Sequence, residues 1–175
     1  MRQTKTMETI TPTLSPEEVL EIEQEAAHYA HKSAVALEAL RIVQHHRGWV
    51  SDGSLQALAN YLDYPIVELE ALATYYQLIF RQPVGRHVIY CCNSASCWML
   101  GGGTLQQHLQ ETLNIRPGET TADEVFTLLE TPCLGDCDKA PVMMIGTQMQ
   151  RNLTQDKLDT LLASLRLSSG GEDAQ

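Results

Sequence analysis

Four of the five cysteines in the sequence fall into two closely spaced pairs. The pairs are Cys92-x4-Cys97 and Cys133-x3-Cys137, and 35 residues lie between them. Thiolate sulfur is a soft ligand that suits zinc and iron–sulfur clusters. The start of the chain lacks the apolar core of a signal peptide, so we expect a reducing, cytosolic compartment. Metal or redox chemistry is therefore a better first interpretation than a disulfide framework.

The spacing within each pair favours an iron–sulfur cluster over a zinc ion. Structural zinc sites typically use C-x2-C turns, which bring two sulfurs to a single ion. The wider spacings found here suit a two-iron cluster, which spreads its ligand positions over more space. The sequence has no C-x-x-C dithiol, and His87 is the only histidine near either pair, which disfavours a redox dithiol and a Rieske centre. Zinc, a [4Fe–4S] cluster and purely structural cysteines stay open on spacing alone.

The residues between the paired cysteines are mostly small. Ser94 and Ser96 lie between the first two cysteines, in a segment that can wrap around an inorganic core. Gly135 lies between the second two; glycine permits a turn closed to most residues and can direct N–H groups toward sulfur. We therefore predict Ser94, Ser96 and Gly135 as supporting residues around the site.

Cys91 is adjacent to Cys92 and creates an ambiguity, because it could replace Cys92 as a ligand. Neighbouring side chains of a strand point to opposite faces, so only one of the two can face a cluster easily. We interpret Cys91 as a buried free thiol that behaves as a small hydrophobic side chain. The spacing alone does not choose between the two neighbours.

Residues 83–167, which carry both pairs, have the pattern of a small domain of strands and helices. A β-branched and aromatic run at 87–91 ends at Cys92, and a helical pattern follows at 99–113. Further strands are predicted at 125–129 and 142–145, and Thr154 caps a last helix. This order predicts a small α/β layer fold whose first two strands are parallel, joined by a right-handed crossover.

Residues 14–82 have the pattern of a small helical bundle. Ser15, Pro16 and Glu18 form an N-cap, a proline at the first helical position and a capping-box acid. Further helices are predicted at 33–47, 51–61 and 65–78, with Gly48 ending the first of these three. Residues 1–13 and 168–175 are predicted to be disordered tails. The expected fold class is thus α+β or α/β, with the bundle first.

Composition and charge disfavour several classes of function. Twenty-two acidic and twelve basic residues give a net charge of −10, whereas a nucleic-acid partner would require a basic face. The sequence contains no apolar stretch long enough to predict a membrane-spanning helix. It also lacks a nucleophile–base–acid arrangement, so we expect no complete active site in this chain alone.

Longer stretches carry a more specific signal than the cysteine pairs. They are Gly48-Trp49-Val50, Ala73-Thr74-Tyr75-Tyr76 and residues 81–87 in the first part, and Phe126-Thr127-Leu128, residues 133–141 and Met143-Met144-Ile145 in the second. Together they are collinear over residues 15–166 and resemble the E subunit of bacterial NADH:quinone oxidoreductase, the respiratory complex I. Many members of that family carry a basic residue shortly after the second ligand. This chain has Trp98-Met99-Leu100-Gly101 there.

The resemblance implies a fold, a cofactor and a partner. It implies a thioredoxin-like ferredoxin domain with one [2Fe–2S] cluster held by Cys92, Cys97, Cys133 and Cys137. FMN and NADH are then bound by a partner subunit, whose flavin exchanges single electrons with the cluster. The expected location is cytoplasmic, peripheral to the inner membrane through the complex. Two alternatives stay open: the equivalent subunit of a NAD-linked hydrogenase or formate dehydrogenase, and a zinc-stabilised interaction module.

Overall fold

The computed structural model describes residues 13–169, and the chain divides into two compact units between Pro83 and Val84. We refer to residues 13–83 as the helical unit and to residues 84–169 as the sheet unit. The tails predicted at 1–13 and 168–175 lie outside the described residues, apart from Thr13, Ser168 and Ser169. The last helix ends at Ser169, so the first two residues of the second predicted tail are helical.

The described part of the helical unit contains α1 Pro16–Ala26, α2 Ala36–Arg47, α3 Asp52–Leu62 and α4 Ile66–Tyr75. The predicted capping box is present at α1. The Glu18 N–H donates to the Ser15 hydroxyl, and the Ser15 N–H donates to the Glu18 carboxylate at 2.7 Å. A 3-10 turn precedes α2, and α2 ends at Gly48 as predicted.

An apolar core and one buried ion pair hold these helices together. The Glu18 carboxylate is only 1% exposed, and it accepts two hydrogen bonds of 2.6 Å from the Arg47 guanidinium. A buried charge is tolerated when its partner has good geometry, and this two-fold contact joins α1 to α2. The fully buried side chains of the core include Ile22, Leu40, Val43, Leu58 and Leu69.

The helix predicted at 65–78 is too long at its C-terminal end, because α4 stops at Tyr75. Beyond Tyr76 the backbone hydrogen-bonds to other parts of the unit. The Gln44 amide donates to the Leu78 carbonyl at 2.8 Å and accepts from the Phe80 N–H at 2.5 Å. These contacts with α2 take the place of the last helical turn.

The sheet unit contains β1 His87–Cys92, α5 Ala95–Met99, α6 Gly102–Leu113, β2 Phe126–Thr131, β3 Met143–Ile145, β4 Gln148–Gln150 and α7 Gln155–Ser169. The strands form one mixed sheet in the order β2-β1-β3-β4. The first two strands pair in parallel, as predicted, and β3 is antiparallel to both of its neighbours. The mixed α+β class agrees with the expectation from sequence.

Two elements of this unit differ from the prediction. The helix expected at 99–113 is two helices, because Gly101 adopts a left-handed backbone with φ +94° and interrupts it. The first of them begins earlier, where the Ser94 hydroxyl caps α5 by accepting from the Cys97 N–H. Strand β4 was not predicted; it has only three residues and is partly exposed.

Helices α6 and α7 cover one face of the sheet. Thr154 caps α7 as predicted, accepting a hydrogen bond from the Lys157 N–H at 3.3 Å. Side chains at alternate strand positions meet the two helices, consistent with the period of two in a strand. The buried set includes Ile89, Cys91, Phe126, Leu128, Met143, Ile145, Leu105, Leu109 and Leu158.

Candidate metal centre

The parallel pairing of β1 and β2 brings the two cysteine pairs to one edge of the sheet. The register places Cys92 beside Thr131, so both strands end at the same level. The segment after β1 carries Cys97, and the segment after β2 carries Cys133 and Cys137. Two cysteine pairs that are far apart in the sequence therefore lie in adjacent loops.

The first pair is buried. Cys92 ends β1 and is 8% exposed, whereas Cys97 lies inside α5 and is 1% exposed. Their thiols are in hydrogen-bond contact, and the Ser94 hydroxyl lies 3.3 Å from the Cys92 Sγ. Cys97 lies on a short helix that Ser94 caps, before the first residue of the helix that the sequence predicted at 99–113.

The second pair is exposed. The Cys133 and Cys137 Sγ atoms are 3.8 Å apart, and the Gly135 N–H donates to the Cys133 Sγ at 3.3 Å. Gly135 has φ +79°, a backbone conformation that side-chain-bearing residues rarely adopt. Ser96, from the first segment, hydrogen-bonds to the Cys137 thiol. The predicted supporting residues thus all contact a paired cysteine.

Burial and hydrogen bonds shift the pKa values of the paired thiols in different directions. Burial is the largest influence on the pKa of Cys92 and raises it. The Ser94 hydroxyl and the backbone N–H groups of Leu134 and Ser94 outweigh it, so the pKa is lowered overall. Burial raises the pKa of Cys97, and the neighbouring Cys133 thiol raises the pKa of Cys137. Leu134 belongs to the second loop, so its N–H joins that loop to the first pair.

Cys91 faces the opposite side of β1 from Cys92. It is 1% exposed and packs in the apolar core with the side chains of α6 and α7. Burial is the main reason that the pKa of Cys91 is raised to about 12, so this thiol stays protonated at neutral pH. Cys92, by contrast, packs with Cys97 and Val142.

The family model for thioredoxin-like [2Fe–2S] ferredoxins matches residues 22–166. The chain belongs to this family. Curated relatives named as the E subunit of NADH-quinone oxidoreductase share high identity with it. The Salmonella typhimurium and Escherichia coli K12 proteins are each 49% identical over 149 residues, covering 85% of this chain and 90% of the relative. The Pseudomonas aeruginosa protein is 43% identical over 162 residues, covering 93% and 98%. These relatives confirm the resemblance seen in the sequence.

A solved structure shares the fold of this ferredoxin. It is the crystal structure of an NAD+-reducing [NiFe]-hydrogenase in the air-oxidized state, with a TM-score of 0.67 and 26% identity. The match covers 77% of this chain and 23% of the hydrogenase chain, so the present chain spans about a quarter of that protein.

Apolar side chains pack against the buried first cysteine pair of the ferredoxin site. Val142 is 3% exposed and contacts the first pair, and Leu134, Ala140 and Met149 pack around it. Sequence reasoning missed Met149, because it lies on the unpredicted β4. The signal available for it was a short alternating Gln-Met-Gln segment between Gly146 and Asn152. This packing limits the access of water to the first two sulfurs.

The donor set fits an iron–sulfur cluster. The four thiols lie in adjacent loops at one edge of the sheet, and backbone N–H groups point at two of the sulfurs; such hydrogen bonds stabilise thiolate ligands. Within residues 13–169, no three histidine, cysteine or carboxylate side chains stand close enough to hold one metal ion as they are placed. Donor chemistry alone also fits zinc. Among the described helices, none is both long and apolar enough to cross a membrane.

Proposed function

We propose that this chain is an electron-transfer subunit of NADH-quinone oxidoreductase, with one [2Fe–2S] cluster held by Cys92, Cys97, Cys133 and Cys137. The convergence of the two cysteine pairs on one edge of the sheet carries the proposal. We infer the identity of the host complex from the names of relatives that are 43–49% identical to this chain.

Each part of the site has a role in holding the cluster. When bound, the cluster supplies a site that takes up and releases one electron at a time. The four thiolates hold it, and the N–H groups of Ser94, Leu134 and Gly135 offset their negative charge. Val142 and its apolar neighbours exclude water on the buried side. The acidity of the chain opposes the addition of further negative charge, which favours a low reduction potential.

The partner in this proposal is the flavin- and NADH-binding subunit of the same complex. That subunit holds FMN and NADH, and its flavin exchanges single electrons with the cluster of this chain. The protein described here is then cytoplasmic and peripheral to the inner membrane, attached through the complex. The exposed pair, Cys133 and Cys137, is the side of the site open to such a partner.

Metal analysis with electron paramagnetic resonance (EPR) tests the cluster. The chain purified without air should contain iron and acid-labile sulfide in equal amounts, two of each per chain. After dithionite reduction it should show the EPR signal of a [2Fe–2S] cluster. A silent spectrum together with one zinc per chain would contradict the proposal and support a zinc-stabilised interaction module.

Serine substitutions test the ligand set. We expect Cys92→Ser and Cys137→Ser to lose or strongly perturb the cluster, because each removes a proposed thiolate ligand. Cys91→Ser is the matched control, since the Cys91 thiol packs in the core on the other face of β1. The visible absorption and EPR spectra of the three variants decide the point. Loss of the signal in the Cys91 variant alone would mean that the wrong neighbour is assigned.

A second candidate is the equivalent subunit of a NAD-linked hydrogenase or formate dehydrogenase. The fold shared with the NAD+-reducing hydrogenase, at a TM-score of 0.67, favours keeping it. The two functions differ in the proteins that assemble with this chain. Purification of the intact complex from the native cell, followed by assays of quinone reduction, hydrogen oxidation and formate oxidation, separates them.

A further inference from the structure

The loop that carries the exposed cysteine pair has little regular structure of its own. Cys133 and Cys137 follow β2, and one 3-10 turn, Cys137–Lys139, forms before β3 begins. Both thiols are exposed, so burial in an apolar core, which fixes Cys92 and Cys97, does not fix them. The positions of these two proposed ligands therefore depend on contacts made by the rest of the loop.

Two backbone hydrogen bonds join this loop to the residues that follow β4. The Asn152 N–H donates to the Lys139 carbonyl at 2.8 Å, and the Leu153 N–H donates to the Pro141 carbonyl at 3.1 Å. We call residues 151–153 the anchoring turn. Its backbone hydrogen bonds lie beyond the second cysteine of the loop, so they do not hold the residues between the two cysteines.

Arg151, the first residue of the anchoring turn, reaches the part of the loop between the cysteines. Its guanidinium donates to the carboxylate of Asp136, which directly precedes Cys137, and the two groups form an ion pair. The Asp136 side chain is only 21% exposed, whereas Arg151 is half-exposed. A partly exposed ion pair typically changes an equilibrium by about two- to fivefold. The contact therefore adds a modest restraint at the residue next to a proposed ligand.

The ion pair also sets the charge next to the exposed cysteines. Asp138 pairs with its neighbour Lys139 at 2.7 Å, so the two ion pairs of this loop are together neutral. Reduction of an iron–sulfur cluster adds one negative charge, and nearby charges of either sign change how favourable that step is. Removal of Arg151 would leave Asp136 as an uncompensated negative charge beside Cys137.

We propose that Arg151 is a positioning residue for the iron–sulfur cluster, acting through Asp136 on the loop that carries Cys133 and Cys137. This inference rests on the proposed function, because it takes these two thiolates to be cluster ligands. The contact has two consequences for the site. It restrains the exposed half of the ligand set, and it balances a negative charge next to the place where reduction adds another.

Release of iron from the full, reduced chain to an excess of the chelator ferrozine, without air, tests the restraint. Arg151→Gln should lose its cluster about two- to fivefold faster than the unchanged chain, because the loop is less restrained. Asp136→Ala should lose it equally fast, and Arg151→Gln should add nothing in the Asp136→Ala chain, since each side chain acts through the other. Lys139→Gln is the matched control. It removes a positive charge from the same loop, but from an ion pair between neighbouring residues, so it should lose the cluster at the unchanged rate.

The reduction potential separates the charge of the ion pair from its mechanical role. Arg151→Gln should lower the potential because it leaves Asp136 unpaired, whereas Asp136→Ala should raise it. Arg151→Lys keeps the charge and a donor, so it should keep the potential and restore most of the cluster lifetime. A redox titration followed by EPR measures these potentials. Shifts of the same sign in Arg151→Gln and Asp136→Ala, or no shift in either, would overturn the charge balance.

Hydrogen exchange measured by mass spectrometry needs no cluster, so it keeps the two proposals separate. In the metal-free chain, Arg151→Gln should speed exchange across residues 133–139, and Lys139→Gln should leave it unchanged. Equal exchange and equal cluster loss in Arg151→Gln and the unchanged chain would overturn the positioning role. Faster exchange with unchanged cluster loss would also overturn it, because the restraint would then not reach the ligands. An unchanged chain that binds no iron refutes the proposed function, and exchange then still decides whether Arg151 holds the loop.

Discussion

Replacement of Gly102 by alanine tests how closely the second helix of the site constrains Cys97. Gly102 opens α6, and a Cβ at this position would lie 2.7 Å from the Cys97 carbonyl oxygen and 2.9 Å from its carbonyl carbon. Contacts between carbon and oxygen are ordinarily about 3.3–3.6 Å. The distance from the added Cβ to the Cys97 carbonyl oxygen must therefore increase by roughly 0.6 Å, which requires α5 or the start of α6 to move. Both contacting atoms belong to the backbone, so no side chain can rotate away.

The expected size of the effect follows from two opposing contributions. Overpacking a tight contact costs about 1–3 kcal/mol. Alanine favours a helix over glycine by roughly 0.5–1 kcal/mol, which offsets part of that cost. Gly103→Ala is the matched control, because its Cβ would meet only the Trp98 ring at 3.4 Å, an ordinary contact. We therefore expect Gly102→Ala to lower the free energy of unfolding while Gly103→Ala leaves it equal or slightly raised.

Urea unfolding and EPR provide the assay. Circular dichroism across a urea titration gives the difference in free energy of unfolding between the two variants. The EPR spectrum of the reduced protein reports whether the surroundings of the cluster have moved. Equal urea midpoints and identical spectra for the two variants would refute the idea that Gly102 constrains Cys97.

Two further substitutions test the ion pair of the helical unit and a buried hydrogen bond of the sheet unit. Glu18→Gln should cost about 1.5–3 kcal/mol at pH 7, the usual contribution of hydrogen bonds to a charged group. Burial raises the pKa of Glu18, but hydrogen bonds from Arg47 and Ser15 outweigh it and lower the pKa below its ordinary value. The contribution of Glu18 is therefore full above that ordinary value and is lost as the pH falls through the lowered one. Urea unfolding from pH 7 to pH 3 should show a smaller pH dependence in Glu18→Gln, and an unchanged dependence would contradict this. Thr127→Val should cost about 1–3 kcal/mol, because the buried Gly85 N–H donates to the Thr127 hydroxyl at 2.6 Å and would lose its acceptor. Thr127→Ser should retain most of the stability, and equal loss in both variants would point to packing of the methyl group instead.

Local capping signals in the sequence correctly predicted the starts of α1 and α7. The capping box at Ser15 and the cap at Thr154 are both present, since each depends only on residues within one turn. The parallel pairing of the first two strands was also correct, because a helical connection between two strands favours a parallel crossover, the connection that neighbouring parallel strands need. Interactions of this kind act over short stretches of chain or follow from connectivity.

Long-range contacts account for the elements that were missed. The end of α4 depends on Gln44, which is more than thirty residues away in sequence and hydrogen-bonds to the Leu78 carbonyl and the Phe80 N–H of the following segment. Strand β4 exists because it pairs with β3, and three partly exposed residues carry little pattern of their own. The division between α5 and α6 depends on the left-handed backbone of Gly101, which a run of three glycines does not locate.

In the candidate site, too, the local sequence predicts some features, whereas others depend on long-range contacts in the fold. Spacing identifies the two cysteine pairs but does not show which face of β1 is covered by helices. In the fold, α6 and α7 cover the face that carries Cys91, which leaves Cys92 beside Cys97. The N–H of Leu134 that reaches Cys92 belongs to the other loop, and no local pattern would have located it.

The glycine turn between α5 and α6 constrains the proposed ligand Cys97, whereas the side chain at the end of α5 points into solvent, and two substitutions separate these positions. Gly102→Ala moves the backbone that carries Cys97, so it should change the cluster spectrum. Met99→Glu changes a side chain that is 76% exposed, so it should leave the cluster spectrum unchanged. If Met99→Glu also altered the spectrum, Met99 would contribute to the surroundings of the cluster.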